Sequence, residues 1–142
     1  MKLPDTNVLL YSVNADAAQH MAARHWMVSA LAAPAGLGMA WVALLGFVRI
    51  ATRPGIFARP LRPEQAMQAV QHWLGLPRVR VLHPAERHAT LLGELLATAG
   101  TAGNLTTDAH LAALCIEHGA TLASFDRDFL RFDGLAFELL KK

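Results

Sequence analysis

Apolar residues recur along this chain with the spacings of two kinds of element. From Asp16 to Ala33 they return every three or four positions, which predicts an amphipathic helix that Pro34 and Gly36 end. Similar spacing predicts helices over 41–52, 63–74, 85–99 and 108–118. Short β-branched or apolar runs predict strands over 2–4, 38–40, 79–82, 121–124 and 135–137. Strands that alternate with longer helices indicate an α/β fold, with a parallel sheet covered on both faces.

Composition narrows the class of protein. The chain has 142 residues, of which 54% are hydrophobic, so we expect a single domain over 1–142 with a sizeable core. Cys115 has no partner for an internal disulfide. No apolar run approaches the roughly 18–20 residues of a membrane span, and Pro4 and Asp5 interrupt any signal peptide. We therefore expect a cytoplasmic protein without membrane contact, whose net charge of +2 permits a polyanionic partner without requiring one.

Three acidic positions fall where an α/β fold would gather them. Asp5 follows the first predicted strand, Asp126 follows the fourth, and Asp108 opens a helix. Side chains at the carboxyl ends of parallel strands meet at one edge of the sheet. Carboxylates that converge repel one another unless a cation neutralises them, and Mg²⁺ or Mn²⁺ prefers such oxygen ligands. A water on this metal would be acidic enough to attack a phosphodiester.

Each acid alone also has a purely structural interpretation. Asp108 suits the first turn of a helix, where a negative charge faces the positive end of the dipole. Asp126 suits a turn or a helix cap, and Asp5 suits the cap of a helix that starts at Thr6. Their joint placement favours the metal site over three independent caps.

Three segments together resemble a known family. They are Leu3-Pro4-Asp5-Thr6-Asn7-Val8-Leu9-Leu10, Asn104-Leu105-Thr106-Thr107-Asp108-Ala109-His110-Leu111-Ala112-Ala113-Leu114 and Ser124-Phe125-Asp126-Arg127-Asp128-Phe129. In this order, in a chain of this length, they resemble the signatures of PIN-domain ribonucleases of the VapC toxin type. The resemblance implies a three-layer α/β/α sandwich with a central parallel sheet. It also implies an Mg²⁺- or Mn²⁺-dependent endoribonuclease that forms a homodimer and is inhibited by a small antitoxin.

Carried over by position, Asp5 and Asp108 would be the principal metal ligands. Asp126 would complete the acidic site, and Asp128 would be an outer member. One departure matters, because the family usually has a glutamate in the helix after the second strand and this chain has Gly46 there. Either the remaining acids and water suffice, with Asp128 compensating in part, or another acid substitutes, or activity is weakened. The last case defines the alternative function, a PIN-like RNA- or protein-binding module.

Basic residues suggest where RNA would bind. Arg49, Arg53, Arg59 and Arg62 lie within fourteen residues, near Phe57. Arginines bind phosphates and an aromatic ring stacks on a base, although the same residues also suit a solvated loop. Beside the acids, the hydroxyls of Thr6 and Ser124 could orient a water or a carboxylate, or serve as caps.

Other reactive residues receive simpler interpretations. His20 and His25 do not share the helix face that a zinc pair needs, and His110 points away from Asp108 as a structural or surface group. Cys115 is expected to be a small buried hydrophobe. The three tryptophans are expected in the core or at a dimer contact, namely Trp26, Trp41 and Trp73.

Two further expectations concern function. An aspartyl-phosphate mechanism at Asp5 is weaker than the metal-dependent one, because Asn7 stands where a second acid would help and no lysine is near Asp108 or Asp126. The near-continuous apolar run over 39–47 predicts an exposed apolar patch that a second copy and an antitoxin helix would cover.

Overall fold

Five short parallel strands form the centre of the molecule. The computed structural model describes residues 1–142. The strands are β1 (Lys2–Pro4), β2 (Leu37–Met39), β3 (Val79–Val81), β4 (Thr121–Ser124) and β5 (Phe137–Leu139). Their order across the sheet is β3-β2-β1-β4-β5, and every neighbouring pair is parallel. All five strands therefore end at the same edge of the sheet, with β1 in the middle.

Six helices cover this sheet. They are α1 (Thr6–Val13), α2 (His20–Ala32), α3 (Trp41–Ala51), α4 (Pro63–Leu74), α5 (His88–Ala99) and α6 (Thr106–His118). Helix α1 packs on α2 and α3, α3 packs on α4, and α5 packs on α6. The chain moves outward from β1 to β3 and then returns to β4, so right-handed crossovers place α1–α4 on one face and α5–α6 on the other. The predicted three-layer α/β/α class is confirmed.

The core lies on both faces of the central strands. Leu3, Leu37 and Leu122 are completely buried, and all three residues of β2 are inaccessible to solvent. A sheet buried on both faces needs apolar side chains at successive positions, which explains the continuous apolar strand segments. Phe47 and Trp73 join α3 to α4 by an edge-to-face contact with ring centroids 4.9 Å apart.

The single cysteine and two of the three tryptophans lie in the core. Cys115 is buried and free, and burial raises the pKa of its thiol to about 12, as expected of a small core residue. Trp26 and Trp73 belong to the core, and the indole of Trp26 donates a 3.0 Å hydrogen bond to Glu138. Trp41 is instead 43% exposed. None of the six helices combines the length and the apolarity that crossing a bilayer requires.

Several predicted boundaries were wrong for local reasons. Helix α2 begins at His20 rather than Asp16, because Asn14 holds the preceding residues in turns by accepting from the Asp16 N–H and donating to the Ile56 carbonyl. Helix α5 begins at His88 rather than Ala85, because the Ala85 N–H donates to the carboxylate of Glu117.

The strand predictions need smaller corrections. Strand β5 covers Phe137–Leu139 rather than 135–137, since these are the residues that pair with β4. Strand β2 covers Leu37–Met39 rather than 38–40, and β3 ends at Val81. Strand β4 has the predicted bounds, and helix α4 runs from Pro63 as expected.

Candidate active site

Asp5 lies at the carboxyl end of the central strand. Its backbone N–H donates to the Ala123 carbonyl at 2.9 Å, which extends the pairing of β1 and β4 by one residue. One carboxylate oxygen accepts from the Thr6 N–H at 2.7 Å and so caps helix α1. The other oxygen accepts from the Ser124 hydroxyl at 2.8 Å. Both oxygens are therefore held in place by the protein.

Ser124 is the connection between the two central strands at this edge. Its side chain is completely buried at the end of β4, and its hydroxyl accepts from the Asn7 amide at 2.9 Å and from the Asp126 N–H at 3.0 Å. The Asn7 oxygen in turn accepts from the Phe125 N–H at 3.2 Å. We call Asp5, Asn7 and Ser124 the strand-end clamp. Sequence reasoning missed the part that Asn7 plays, although its place two residues after Asp5 could have indicated it.

Asp126 and Asp128 lie just beyond the clamp. A carboxylate oxygen of Asp126 accepts from the Asp128 N–H at 2.8 Å, which caps a short 3₁₀ helix over Arg127–Arg131. Asp128 is exposed and lies 3.7 Å from the guanidinium of Arg131. Asp126 is thus the inner member of the pair and Asp128 the outer one.

Asp108 occupies the first turn of α6 and is half-buried. A helix N-terminus lowers the pKa of a nearby carboxyl, yet the pKa of Asp108 is raised to about 6. Burial is the largest cause, followed by repulsion from Asp5, Asp126 and Asp128, while Arg131 opposes the shift. The pKa of Asp5 is raised too, because burial outweighs the hydrogen bonds from Ser124 and Thr6 and Asp126 repels its charge. These acids form one electrostatic site.

This acidic site suits a hard divalent cation. No three Asp, Glu, His or Cys side chains are arranged as a complete set of metal ligands. The donors are nevertheless all carboxylates, the ligand type that Mg²⁺ and Mn²⁺ prefer. Burial and repulsion from neighbouring acids both penalise the charged forms of Asp5 and Asp108, and a cation between them would relieve both penalties.

The Thr6 side chain occupies the space beside Gly46. The Thr6 hydroxyl donates to the Ala43 carbonyl of α3 at 3.0 Å. A Cβ atom on residue 46 would lie 2.5 Å from the Thr6 Oγ1 atom and 3.2 Å from its Cγ2 atom. A glutamate at this position therefore has no space while Thr6 keeps its place. The Thr6 hydroxyl donates to α3, and the Asp5 carboxylate accepts instead from the Thr6 backbone N–H. That the hydroxyl orients a water stays a prediction.

No other acid takes the place of a glutamate at position 46. Asp16 and Glu64 are both exposed, and neither contributes to the raised pKa of Asp5 or Asp108. The Glu64 carboxylate lies 3.5 Å from the side chain of Arg62. The acidic site consists of Asp5, Asp108, Asp126 and the outer Asp128.

The three arginines are exposed on α3 and on the loop that follows it. Arg49 is exposed on α3, and Arg53 and Arg59 are exposed in the loop that follows it. Arg59 lines a cavity of about 370 Å³ beside the end of α1, together with Val13, Asn14, Ala15, Asp16, Phe57, Ala58 and Leu61. Helix α1 has eight residues and starts next to Asp5, so its far end is about 12 Å along the helix from the acids.

His110 packs between two helices rather than at the acidic site. His110 points from α6 toward α5, where its Nδ1 atom lies 2.8 Å from His88 Nε2. His88 Nδ1 in turn lies 2.6 Å from Glu117. Burial and the neighbouring His88 lower the pKa of His110. This chain joins α5 to α6, in agreement with a structural role for His110.

The geometry above can be compared with known proteins. The profile of the PIN domain family matches residues 2–135. The chain belongs to the PIN-domain family. Among curated relatives, Ribonuclease VapC37 of Mycobacterium tuberculosis is 46% identical over 138 residues, which cover 97% of this chain and 96% of the relative. Ribonuclease VapC33 of the same species is 41% identical over 95% of this chain and 94% of its own length.

Solved PIN-domain structures share the fold. The VapC20 toxin of Mycobacterium tuberculosis, described as cleaving the sarcin-ricin loop, has a TM-score of 0.71 and 21% identity over 96% of this chain and 99% of its own. The VapBC2 structure from Rickettsia felis, bound to a promoter DNA fragment, has a TM-score of 0.73 and 19% identity over 99% of this chain and 98% of that one. At these identities the likeness concerns the PIN fold, while the curated relatives place the chain among VapC proteins.

We predict that Gly46→Ala destabilises this PIN domain. The new Cβ would contact Thr6, and overpacking outweighs the gain in helix propensity, for a net loss of about 1 kcal/mol. Adding Thr6→Ala should cost less than the two single changes together, because it removes the clash. The free energy of unfolding in urea measures this. As a matched control, Gly93→Ala meets no atom within 4 Å and should stabilise the protein. Equal gains at both glycines would contradict close packing at Gly46.

We also predict that the metal-free protein loses stability as pH rises. The pKa of Asp108 is about 6 in the folded state against 3.8 in the reference state, so its contribution is complete below 3.8 and is lost as pH rises through 6. Asp108→Asn should remove this loss and stabilise the metal-free protein at pH 7 by roughly 1 kcal/mol, a value reduced for solvent screening.

Urea unfolding in EDTA at several pH values measures this effect. Asp133→Asn is the control, since Asp133 is exposed and is not among the groups that shift the pKa of Asp108. Identical pH profiles for wild type and Asp108→Asn would refute the electrostatic coupling.

Proposed function

We propose that this VapC-type PIN domain is a metal-dependent endoribonuclease and the toxic member of a toxin–antitoxin pair. The observation that carries the proposal is the set of sequence-distant carboxylates at one sheet edge, where Asp126 raises the pKa of Asp5, and Asp5 and Asp126 both raise the pKa of Asp108. Membership of the VapC group, at 46% identity to a protein named a ribonuclease, supports the reaction class.

The acids would hold Mg²⁺ or Mn²⁺ in different ways. Asp5 is fixed by hydrogen bonds to both of its oxygens, and Asp126 is fixed through one oxygen, so these two provide a rigid framework. Asp108 is half-exposed and would complete the set from α6. The bound cation would supply positive charge against the phosphodiester and a more acidic water.

Protons and the cation compete for Asp108. Its carboxyl is largely protonated below a pKa of about 6, and metal ligation requires the ionised form. Metal affinity should therefore increase as the pH rises through 6. The protein's own contribution is to keep these carboxylates positioned and poorly solvated, so that a cation is favoured over bulk water as their partner.

Exposed arginines would bind the RNA chain. Arg49, Arg53 and Arg59 lie on α3 and the loop after it and form no ion pair with an acid. Guanidinium groups that are free of acidic partners are available to phosphates. Arg59, beside the far end of α1, would act on a nucleotide beyond the scissile one.

A protein partner is the second part of the proposal. Large apolar side chains are exposed one helical turn apart on α3, where Leu45 is 59% exposed and Trp41 43%. Met21 and Val28 are exposed on α2. A homodimer and a small VapB-like antitoxin would cover such surfaces, and solved relatives include VapBC complexes.

The competing function is a PIN-like module that binds RNA or protein without cleaving it. Its basis is the contact between Thr6 and Gly46, which crowds any side chain at the position where the family usually has a glutamate. The two proposals differ in turnover, because a binding module would retain RNA unchanged in Mg²⁺ and in Mn²⁺.

We predict that Asp5→Asn and Asp108→Asn each reduce RNA cleavage by at least about 10²-fold, the scale of losing one transition-state charge stabiliser. The amide keeps the shape of the side chain but not the charge that binds the cation. Gel analysis of labelled RNA in Mg²⁺, in Mn²⁺ and in EDTA measures cleavage, with circular dichroism as a check of folding and Asp133→Asn as control. Full activity in either variant, or in EDTA, would disprove the metal site. Binding by the wild type without cleavage in either metal would favour the module.

Loss of the arginines should weaken RNA binding in a salt-dependent way. Each phosphate contact removed lowers the slope of log affinity against log salt by about 0.7 for a single strand. We predict this for Arg49→Ala, and about twice the change for Arg53→Ala with Arg59→Ala. Fluorescence anisotropy of a labelled RNA in EDTA gives the slope. Arg78→Ala with Arg80→Ala, on and beside β3, serves as the matched control, and a slope that matches this control would identify the loop as ordinary surface.

A further inference from the structure

A second cavity adjoins the acidic site on the side of β5. It has a volume of about 320 Å³ and is lined by Gln19, Phe125, Arg127, Leu139, Leu140, Lys141 and Lys142. None of these residues is among the acids or the arginines discussed above. The cavity therefore is a separate feature of the molecule that requires its own explanation.

The wall of this cavity is continuous with the strand-end clamp. Phe125 follows Ser124 and precedes Asp126, and its N–H donates to the Asn7 oxygen at 3.2 Å. On the other side, the Leu140 N–H donates to the Ser124 carbonyl at 2.8 Å, which holds the end of β5 against β4. The cavity thus lies at the carboxyl edge of the sheet, next to the acids and in a fixed position relative to them.

One wall is aromatic and its ring is held in place. Phe125 is half-buried and meets Tyr11 of α1 edge-to-face, with ring centroids 5.4 Å apart and planes at 89°. Leu139 and Leu140 add apolar surface. A flat, apolar wall with a fixed ring is suited to a planar heterocycle, because every nucleobase has a face that can stack.

The remaining lining is the neutral Gln19 and three cationic side chains. Arg127, Lys141 and Lys142 are all exposed, and none of them forms an ion pair. Three unneutralised cations around an apolar wall attract an anion that also carries a flat ring. The acids beside the cavity repel the phosphates of the same ligand in part, and a bound cation would weaken that repulsion. A ligand that spans the cavity and the metal site fits both charge patterns.

We propose that this cavity is the subsite for the nucleotide adjacent to the scissile phosphate of a single-stranded RNA. The base stacks on Phe125, and Arg127, Lys141 and Lys142 bind the neighbouring phosphates. A base within a duplex is already stacked and could not reach the ring, so the subsite selects unpaired RNA. The volume is at the small end of ligand pockets, which suits one nucleotide unit. This inference rests on the proposed ribonuclease function and assigns a position to its substrate.

The base contact is tested by a cycle of two changes. The full-length protein in EDTA binds a fluorescein-labelled RNA of about ten nucleotides, and a ribose-phosphate oligomer of equal length that lacks bases. Removing the bases should weaken binding to the wild type by roughly 5- to 150-fold, the range of one lost base–aromatic stack. Phe125→Leu should weaken binding of the intact RNA by a similar factor. The variant protein should therefore bind the two oligomers with more nearly equal affinity. Phe125→Trp should retain the difference.

The phosphate contacts are tested by salt dependence. Arg127→Gln with Lys141→Gln should lower the slope of log affinity against log salt by about 1.4, that is about 0.7 for each contact. Arg78→Gln with Arg80→Gln makes the same change in net charge at the opposite end of the sheet and should leave the slope unchanged. Thermal unfolding establishes that each variant is folded before binding is compared.

Two results would overturn the subsite. One is a Phe125→Leu protein that discriminates intact from base-free oligomer as the wild type does. The other is an Arg127 and Lys141 variant with the salt slope of its control. Cleavage in Mg²⁺ is measured separately on the wild type, so the two proposals can fail independently. If the RNA is cleaved but the variants bind it as their controls do, the subsite alone is refuted. If the RNA is not cleaved but binding changes as expected, only the ribonuclease proposal is refuted.

Discussion

The hydrogen bonds of the Ser124 side chain are the contact on which the rest of the site depends. A completely buried hydroxyl must satisfy its polar atom inside the protein, and here it does so with Asp5, Asn7 and the backbone of Asp126. Those partners come from both ends of the chain, which only the central pairing of β1 with β4 brings together. The same hydroxyl therefore holds the first acid, the loop that carries the third acid, and the wall of the neighbouring cavity.

At the acidic site, folding stability and metal binding make opposite demands on the same carboxylates. Burial raises the pKa values of Asp5 and Asp108. The folded metal-free protein therefore loses stability at the pH at which these carboxylates must be charged to bind a metal. Local hydrogen bonds offset part of this penalty at Asp5, where Thr6 and Ser124 both donate. Asp5 also caps α1, and Asp126 caps the 3₁₀ helix at Arg127–Arg131, so the structural interpretation of these two acids is confirmed and is compatible with the proposed metal site.

The sequence predicted the fold class well and the finer geometry of the site less well. Hydrophobic periodicity located five of the six helices and all five strands, because a sheet buried on both faces leaves clear apolar runs at β1, β2 and β4. Helix α1 entered only as the helix that Asp5 would cap. The periodicity misplaced the starts of α2 and α5. The residues before these helices are held in other hydrogen bonds, through Asn14 and Glu117, whose partners are distant in sequence.

The gathering of the acids followed from strand polarity, but the contact between Thr6 and Gly46 did not. That contact depends on how closely α1 approaches α3, which no pattern in either helix encodes. The cavity beside Phe125 was missed for a related reason. Its lining comes from Gln19, from the segment after β4 and from the last four residues of the chain, which are scattered in the sequence. Its residues look unremarkable until β5 is paired with β4.

The packing of Thr6 against Gly46 also limits how this protein could change over generations. An acid at position 46 would crowd the threonine, and a smaller residue at position 6 would open a gap beside the glycine and remove the hydroxyl bond to the Ala43 carbonyl. Each single change is expected to cost stability, so which residue is tolerated at one position depends on the residue at the other.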